Sequence, residues 1–170
     1  METPSGKTLL YDAGSLADSR KATRAVEQTL WERGRRRIDT VVISHADVDH
    51  YNGVADLFRT IGIDSVIFSP QFLDETQPGT IEIRELAKEH GTQVEEVSAG
   101  DQLHLDPHVT IRVLWPESGS RYSSDNAGSI VLEIEYGNRR ILLTGDLENE
   151  GLFQLMDRPA RQADILLSPH

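Results

Sequence analysis

The order of apolar segments along the chain predicts a layered α/β fold with a mixed sheet. Three observations carry this. Short β-branched runs such as residues 39–44 (DTVVIS) alternate with stretches of helical spacing in the first half. The second half is rich in hairpin signals, the clearest being Gly137-Asn138 between two apolar segments. No apolar run approaches the roughly 18 residues that would span a bilayer.

Each element follows from its own pattern. Residues 7–12 (KTLLYD) read as a strand that runs into a turn at Ala13-Gly14. Residues 19–33 have helical spacing, with Ala22, Val26 and Leu30 on one face and Gly34 as the stop. Residues 39–44 form a buried strand that empties directly into His45-Ala46-Asp47-Val48-Asp49-His50. A short helix over 51–60, a strand at 65–68 and a loop over 72–79 come next. Residues 80–90 form a second helix ended by Gly91, and strands follow at 93–97 and 109–114. After a polar loop at 116–124, residues 129–136 (SIVLEIEY) alternate clearly and turn through Gly137-Asn138 into 139–144 (RRILLT). A helix over 148–156 and a last strand at 164–167 complete the order, without internal repeats or low-complexity tracts.

The length of 170 residues suits one domain, over 1–170, with a core of its own. The 17 basic against 28 acidic residues give a net charge of −11, which argues against a broad basic surface for nucleic acid. It is compatible with a small substrate, or with phosphate held mainly by metal ions. There is no cysteine, so disulfides and thiolate sites are excluded and any metal must be held by His, Asp or Glu. Residues 1–7 show no signal-peptide pattern.

Four potential ligands, His45, Asp47, Asp49 and His50, lie within six residues of one another at the end of an apolar strand. A loop in that position turns several side chains onto one point. Asp49 and His50 fall near the start of the next helix, where the dipole favours a carboxylate. Imidazole suits Zn²⁺ and carboxylate suits harder ions. A polar surface loop with two helix caps is the alternative account, and two His and two Asp at this spacing behind a buried strand favour the metal.

The segment resembles the His-x-His-x-Asp-His signature of the metallo-β-lactamase superfamily, with Asp47 in place of the second His. Further matches follow in order. Leu10-Tyr11-Asp12-Ala13-Gly14 is like the early "IDAG" strand and turn. Thr144-Gly145-Asp146 is like the "TGD" whose Asp bridges two metals, and residues 164–170 are like the strand ending in the last His ligand. The place of the "GHS-x-GS" turn is taken by Ser124-Asp125-Asn126-Ala127-Gly128-Ser129, which sets Asp125 where the third His belongs. Ser-Asp-Asn is equally ordinary turn chemistry. The two Asp-for-His replacements make the chain most similar to the C-terminal metallo-β-lactamase-like domain of ComEC-type DNA-internalisation competence proteins. In that group "SH-x-D-x-DH", "SDN" and "TGD" recur. Asn52 departs from the Gly usual after "DH-x".

The resemblance implies an αββα sandwich with mixed sheets, truncated at both ends, lacking the first strand and the C-terminal part. It implies two divalent metal ions, Mn or Zn. One would be held by His45, Asp47, Asp125 and a bridging Asp146, the other by Asp49, His50, His170 and the same Asp146. Asp49 and Asp146 would stand closest to the chemistry. The oxygen-rich first set would shift preference from Zn²⁺ towards Mn²⁺ or another hard ion. The implied activity is that of a metal-dependent phosphodiesterase or nuclease acting on DNA through its metal site. The implied place is an extracytoplasmic domain of a bacterial inner-membrane protein, with any membrane anchor outside this chain. The alternatives are a cytoplasmic, stand-alone hydrolase of a small ester, thioester or lactam, and a non-catalytic structural or DNA-guiding domain. The remaining polar residues are expected to be structural. His90 sits at a helix end, His104 and His108 in a loop–strand region, and Glu148 and Glu150 at a solvated helix start. Arg35-Arg36-Arg37 reads as an exposed turn and is the best local basic patch.

Overall fold

The computed structural model describes residues 1–74 and 76–168. The first half alternates strands and helices: β1 (Leu9–Tyr11), α1 (Ser19–Glu32), β2 (Arg37–Ile43), α2 (Val48–Tyr51), α3 (Val54–Thr60), β3 (Gly62–Phe68), α4 (Pro70–Asp74), α5 (Pro78–Glu89) and β4 (Gln93–Glu96). The second half is β5 (Gln102–Asp106), β6 (Val109–Trp115), a 3₁₀ turn at Asn126–Gly128, β7 (Val131–Tyr136), β8 (Arg139–Leu143), α6 (Asn149–Met156) and β9 (Ile165–Leu167). The strands form two sheets, one ordered β1-β2-β3-β4 and one ordered β5-β6-β7-β8-β9.

Side-chain alternation along the strands builds the layers. In β2 and β3, Val41, Ile43, Val66 and Phe68 face α1, α3, α4 and α5, where they pack with Leu30, Leu57, Phe72 and Ile83. The intervening Val42 and Ile67 face the other sheet and meet Ile111, Val113, Leu132 and Ile134. The second halves of β2 and β3 are buried on both faces, which is why residues 41–43 and 66–68 read as continuous apolar runs. On the far side of the second sheet, Trp115 and Val131 pack with Leu147 and, around α6, with Leu152 and Leu155. The result is an αββα sandwich.

Two features of the second sheet were hidden by simple alternation. The pairing of β6 with β7 shifts between Val113 and Trp115. Val113 therefore stays between the sheets while the Trp115 ring enters the outer cluster. Glu133, in the middle of β7, is fully buried on that outer face and ringed by Arg161, Arg112 and Arg140 at 2.6, 3.1 and 3.2 Å.

Several sequence expectations need correction. The expected αββα layering stands, but of its two sheets the first is all parallel and only the second is mixed, through the parallel pairing of β8 with β9. β5 was not anticipated, because its bulge between Leu103 and Asp106 breaks the alternation. The expected loop at 72–79 is occupied by α4 and the start of α5, whose Pro78 occupies a first-turn position that suits proline. The buried positions of α1 are Thr23, Glu27 and Leu30, so Ala22 and Val26 lie at the edge of the packed face. Two of the three arginines are ion-paired, Arg35 with Glu2 and Arg37 with Asp64, and Arg37 opens β2 rather than lying in a turn.

Because β1, β2 and β3 run parallel, their C-terminal ends share one edge of the sandwich. The inter-sheet core holds that edge in place. Ile111→Ala, at a fully buried site in this core, is expected to cost about 2–5 kcal/mol. Val94→Ala, at a site 46% exposed, should stay within about 0.5 kcal/mol. Urea denaturation of both variants checks the assignment, and equal losses would contradict the layering.

Candidate metal centre

The site begins at Asp12, the residue after β1. Its backbone adopts φ 54°, in the left-handed region that Asp tolerates better than most residues. Its carboxylate accepts from the Ser44 backbone N–H at 2.7 Å and from the Ser44 hydroxyl at 2.7 Å. It also lies 3.0 Å from His50 Nδ1. An ionised carboxylate only accepts, so His50 carries its proton on Nδ1. The Ser44 hydroxyl has one proton and gives it to Asp12. Ser44 Oγ is also 2.9 Å from His45 Nδ1, and it therefore accepts from that nitrogen. Both imidazoles are thus held by Nδ1 as the donor, which leaves Nε2, whose lone pair is free when the ring is neutral, as the atom that faces the site.

Those lone pairs face carboxylates. His45 Nε2 is 3.5 Å from Asp47 Oδ2, and His50 Nε2 is 3.4 Å from Asp146 Oδ2 and 3.9 Å from Asp49 Oδ2. His45 is fully buried, and its Nε2 has no hydrogen-bond partner among the described residues. An acceptor nitrogen facing an acceptor oxygen with no proton between them is unfavourable by itself. A cation resolves it, so these residues fit a metal. Ligand atoms of His45, His50 and Asp146 all lie within 4.8 Å of one another. Burial and the neighbouring His50 push the His45 imidazole below its ordinary range, against the pull of Asp12 and Asp47. Burial acts in the same direction on His50, but the Asp12 hydrogen bond and the charges of Asp12, Asp146 and Asp49 outweigh it and raise that group.

Local backbone geometry fixes the carriers. Asp47 is the N-cap residue of α2 yet makes no side-chain cap bond, so its carboxylate is left to the site rather than to the helix. Gly145 has φ 54°, and a side chain there would come 2.9 Å from Ser44 Cβ and 3.1 Å from Ser129 Cβ. Only glycine lets the turn after β8 bring Asp146 against the strand that carries Ser44 and His45. Asn52 donates to Ser15 O and accepts from Ser15 N, both at 3.0 Å, tying the loop after β1 to the loop after β2.

Asp125 stands at the head of the 3₁₀ turn and accepts from Gln71 Nε2 at 2.8 Å. It does not belong to the tight His45, His50, Asp146 group. The remaining expected ligand, His170, lies outside the described residues. Asp12 and Ser44 were not assigned roles from sequence, although a carboxylate at a strand end followed by Ala13-Gly14, and a Ser directly before the His, were the available signals. Glu150, expected to be solvated, accepts from Ser123 N at 2.6 Å. Above Asp49, His50 and Asp146 opens a cleft of about 670 Å³, with Leu16, Ala17, Ala22 and Val26 on one wall. None of the described residues lining it is Lys or Arg.

An αββα sandwich with a His/Asp cluster at its strand ends defines a metallo-hydrolase fold, and the chain belongs to the metallo-beta-lactamase superfamily, whose profile matches residues 2–168. Among curated proteins it is 29% identical to ComE operon protein 3 of Bacillus subtilis (strain 168) over 177 residues. That match covers 97% of this chain and 22% of the relative, so the chain spans less than a quarter of that protein's length. Among solved structures it is similar to Zn²⁺-bound PqqB from Methylobacterium extorquens, with a TM-score of 0.66 and 19% identity over 98% of this chain and 57% of that one. It is also similar to a Thermotoga maritima protein described as a metallo-beta-lactamase, with a TM-score of 0.58 and 17% identity over 96% of this chain and 81% of that one. These two likenesses show the fold.

The hydrogen bonds of Asp12 make it the residue that sets both histidines. Asp12→Ala is expected to weaken Zn²⁺ binding about 10–100-fold, as loss of a partner behind metal ligands typically does. Calorimetric titration of variant and parent, with circular dichroism to confirm the fold, measures this. Unchanged affinity would show that the tautomers are set elsewhere.

Proposed function

We propose that this hydrolase is a metal-dependent phosphodiesterase that cleaves DNA as the extracytoplasmic domain of a ComEC-like uptake protein. The observation that carries the proposal is the donor set: two imidazole lone pairs faced by Asp47, Asp49 and Asp146 within 3.9 Å. In this reading His45, Asp47, Asp125 and Asp146 hold one divalent ion, and Asp49, His50, His170 and Asp146 hold a second. Two such ions would supply an activated water and would polarise a phosphoryl oxygen. The protein's part is positional. Asp12 and Ser44 hold both rings by Nδ1 and so present both Nε2 atoms to the site, and Asp49 and Asp146 lie against the cleft where substrate enters. Tyr11, partly buried in the cleft lining and donating to Ile130 O at 2.5 Å, is held in its neutral form by desolvation and the nearby Asp12 charge.

The DNA reading is supported by the likeness to ComE operon protein 3, which runs through 97% of the chain. The cleft lining contains Asp12, Asp49 and Asp146 and no described Lys or Arg, so in this reading the charge that meets an anionic ester has to come from the bound cations. Among the described residues no helix is long and apolar enough to cross a membrane. The apolar wall of Leu16, Ala17, Ala22 and Val26 favours a second reading, a hydrolase of a small ester, thioester or lactam whose apolar part rests there.

The expected outcome is cleavage of plasmid and single-stranded DNA that is faster with Mn²⁺ than with Zn²⁺, because the carboxylate-rich set suits a harder ion. Asp146→Ala should lose most of its metal by elemental analysis, together with nearly all cleavage, since one carboxylate serves both ions. A folded, metal-loaded protein that leaves DNA intact but hydrolyses a thioester or lactam would establish the second reading instead.

A further inference from the structure

We propose that Gln71 is a positioning residue for the metal centre, holding the Asp125 carboxylate in the orientation in which it serves one of the two cations. The inference rests on reading Asp125 as a ligand. Gln71 lies in α4, at the end of β3, and so on the same edge of the sandwich as Asp12 and His45. Its Nε2 donates to Asp125 Oδ1 at 2.8 Å, which leaves the second carboxylate oxygen for another partner.

Two observations separate this role from a purely structural one. The backbone around Asp125 is already clamped without Gln71. Trp115 Nε1 donates to Ala127 O at 2.7 Å, Ser123 N donates to Glu150 at 2.6 Å, and Ile130 N donates to Ser44 O at 2.9 Å. A side chain at Gly151 would lie only 2.2 Å from Ala127 O, so α6 is pressed directly against the turn. The glutamine therefore adds nothing the turn lacks except a donor to the Asp125 side chain. The other end of its amide is unsatisfied: Gln71 Oε1 is buried with no hydrogen-bond partner among the described residues. A buried acceptor left unpaired disfavours the folded state. An apolar side chain of similar size would avoid that cost, so stability does not account for a glutamine here. Donation to Asp125 does. The pattern repeats that of the histidines, where Asp12 and Ser44 fix the far side of each ring. The ends of β1 and β2 supply the partners for the imidazoles, and α4 at the end of β3 supplies the partner for the carboxylate.

The test is titration of the apoprotein with Mn²⁺ alone, followed by calorimetry and elemental analysis, for the parent, Gln71→Leu, Gln71→Met and Asp125→Ala. The thermal midpoint of each apoprotein is measured in parallel. Both Gln71 variants should bind one of the two Mn²⁺ ions about 10–100-fold more weakly, with apoprotein midpoints equal to or above the parent's. Asp125→Ala should lose the same ion. If Asp125→Ala loses an ion while both Gln71 variants keep parental affinities, Gln71 has no positioning role. If Asp125→Ala keeps both ions at parental affinity, the ligand reading of Asp125 fails and the inference falls with it. If both Gln71 variants lower the apoprotein midpoint or fail to fold, the residue is structural and the proposal is overturned.

Discussion

A carboxylate accepts hydrogen bonds and cannot give one, and the metal centre is organised around that single constraint at Asp12. Three donors converge on it from β2 and the loop beyond: the Ser44 amide, the Ser44 hydroxyl and the His50 ring. Each of these bonds removes a choice. The hydroxyl is committed, so His45 must donate to it. The rings are committed on Nδ1, so Nε2 is the atom each presents to the site. Had Asp12 been Asn, its amide would present a donor as well as an acceptor, and neither tautomer would be forced. The rest of the site can be read as the means of keeping Asp12 where it is. Its left-handed backbone turns the side chain back toward β2, the parallel pairing of β1 with β2 sets the height, and Asn52 ties the following loop down.

The layered fold supplies the second ingredient, which is convergence from distant sequence. Parallel strands deliver the residues after β1, β2 and β3 to one edge, and β8 delivers Asp146 to the same edge from the other sheet. Thr144 Oγ1 donates to Leu167 O at 2.7 Å and ties the turn after β8 to β9. Gly145 then allows close approach, since any side chain there would strike Ser44. Packing and chemistry meet in this one turn: the residue that must be small lies beside the residue that must be charged.

Much of this was legible in the sequence because it rests on local signals. The run at 39–44 marked a buried strand and the Gly137-Asn138 pair marked the β7–β8 hairpin; His45, Asp47, Asp49 and His50 stood out by residue type and spacing, and Asp146 only through its resemblance to the family's TGD segment. What was not legible depends on partners far apart in the chain. Nothing near Glu133 says that Arg112, Arg140 and Arg161 will surround it. Nothing near Trp115 says that a register shift will turn its ring to the outer face. The Asp12–His50 contact spans 38 residues and the Gln71–Asp125 contact spans 54. A motif names the groups that can meet the metal, but the groups that orient them come from whichever strand the fold places alongside.

The same geometry explains why a chain of net charge −11 gathers still more negative charge at one point. Asp47, Asp49 and Asp146 face the Nε2 atoms of two histidines, and the buried His45 Nε2 has no hydrogen-bond partner among the described residues. In the absence of a cation these groups repel one another in a setting that screens charge poorly. The fold tolerates this because the three apolar layers hold the strands regardless of what happens at their ends. A cation that binds the folded chain and not the unfolded one removes the repulsion and stabilises the fold by mass action. The arrangement is therefore rigid where it must hold its shape and strained where it must bind, and the binding of metal is the event that reconciles the two.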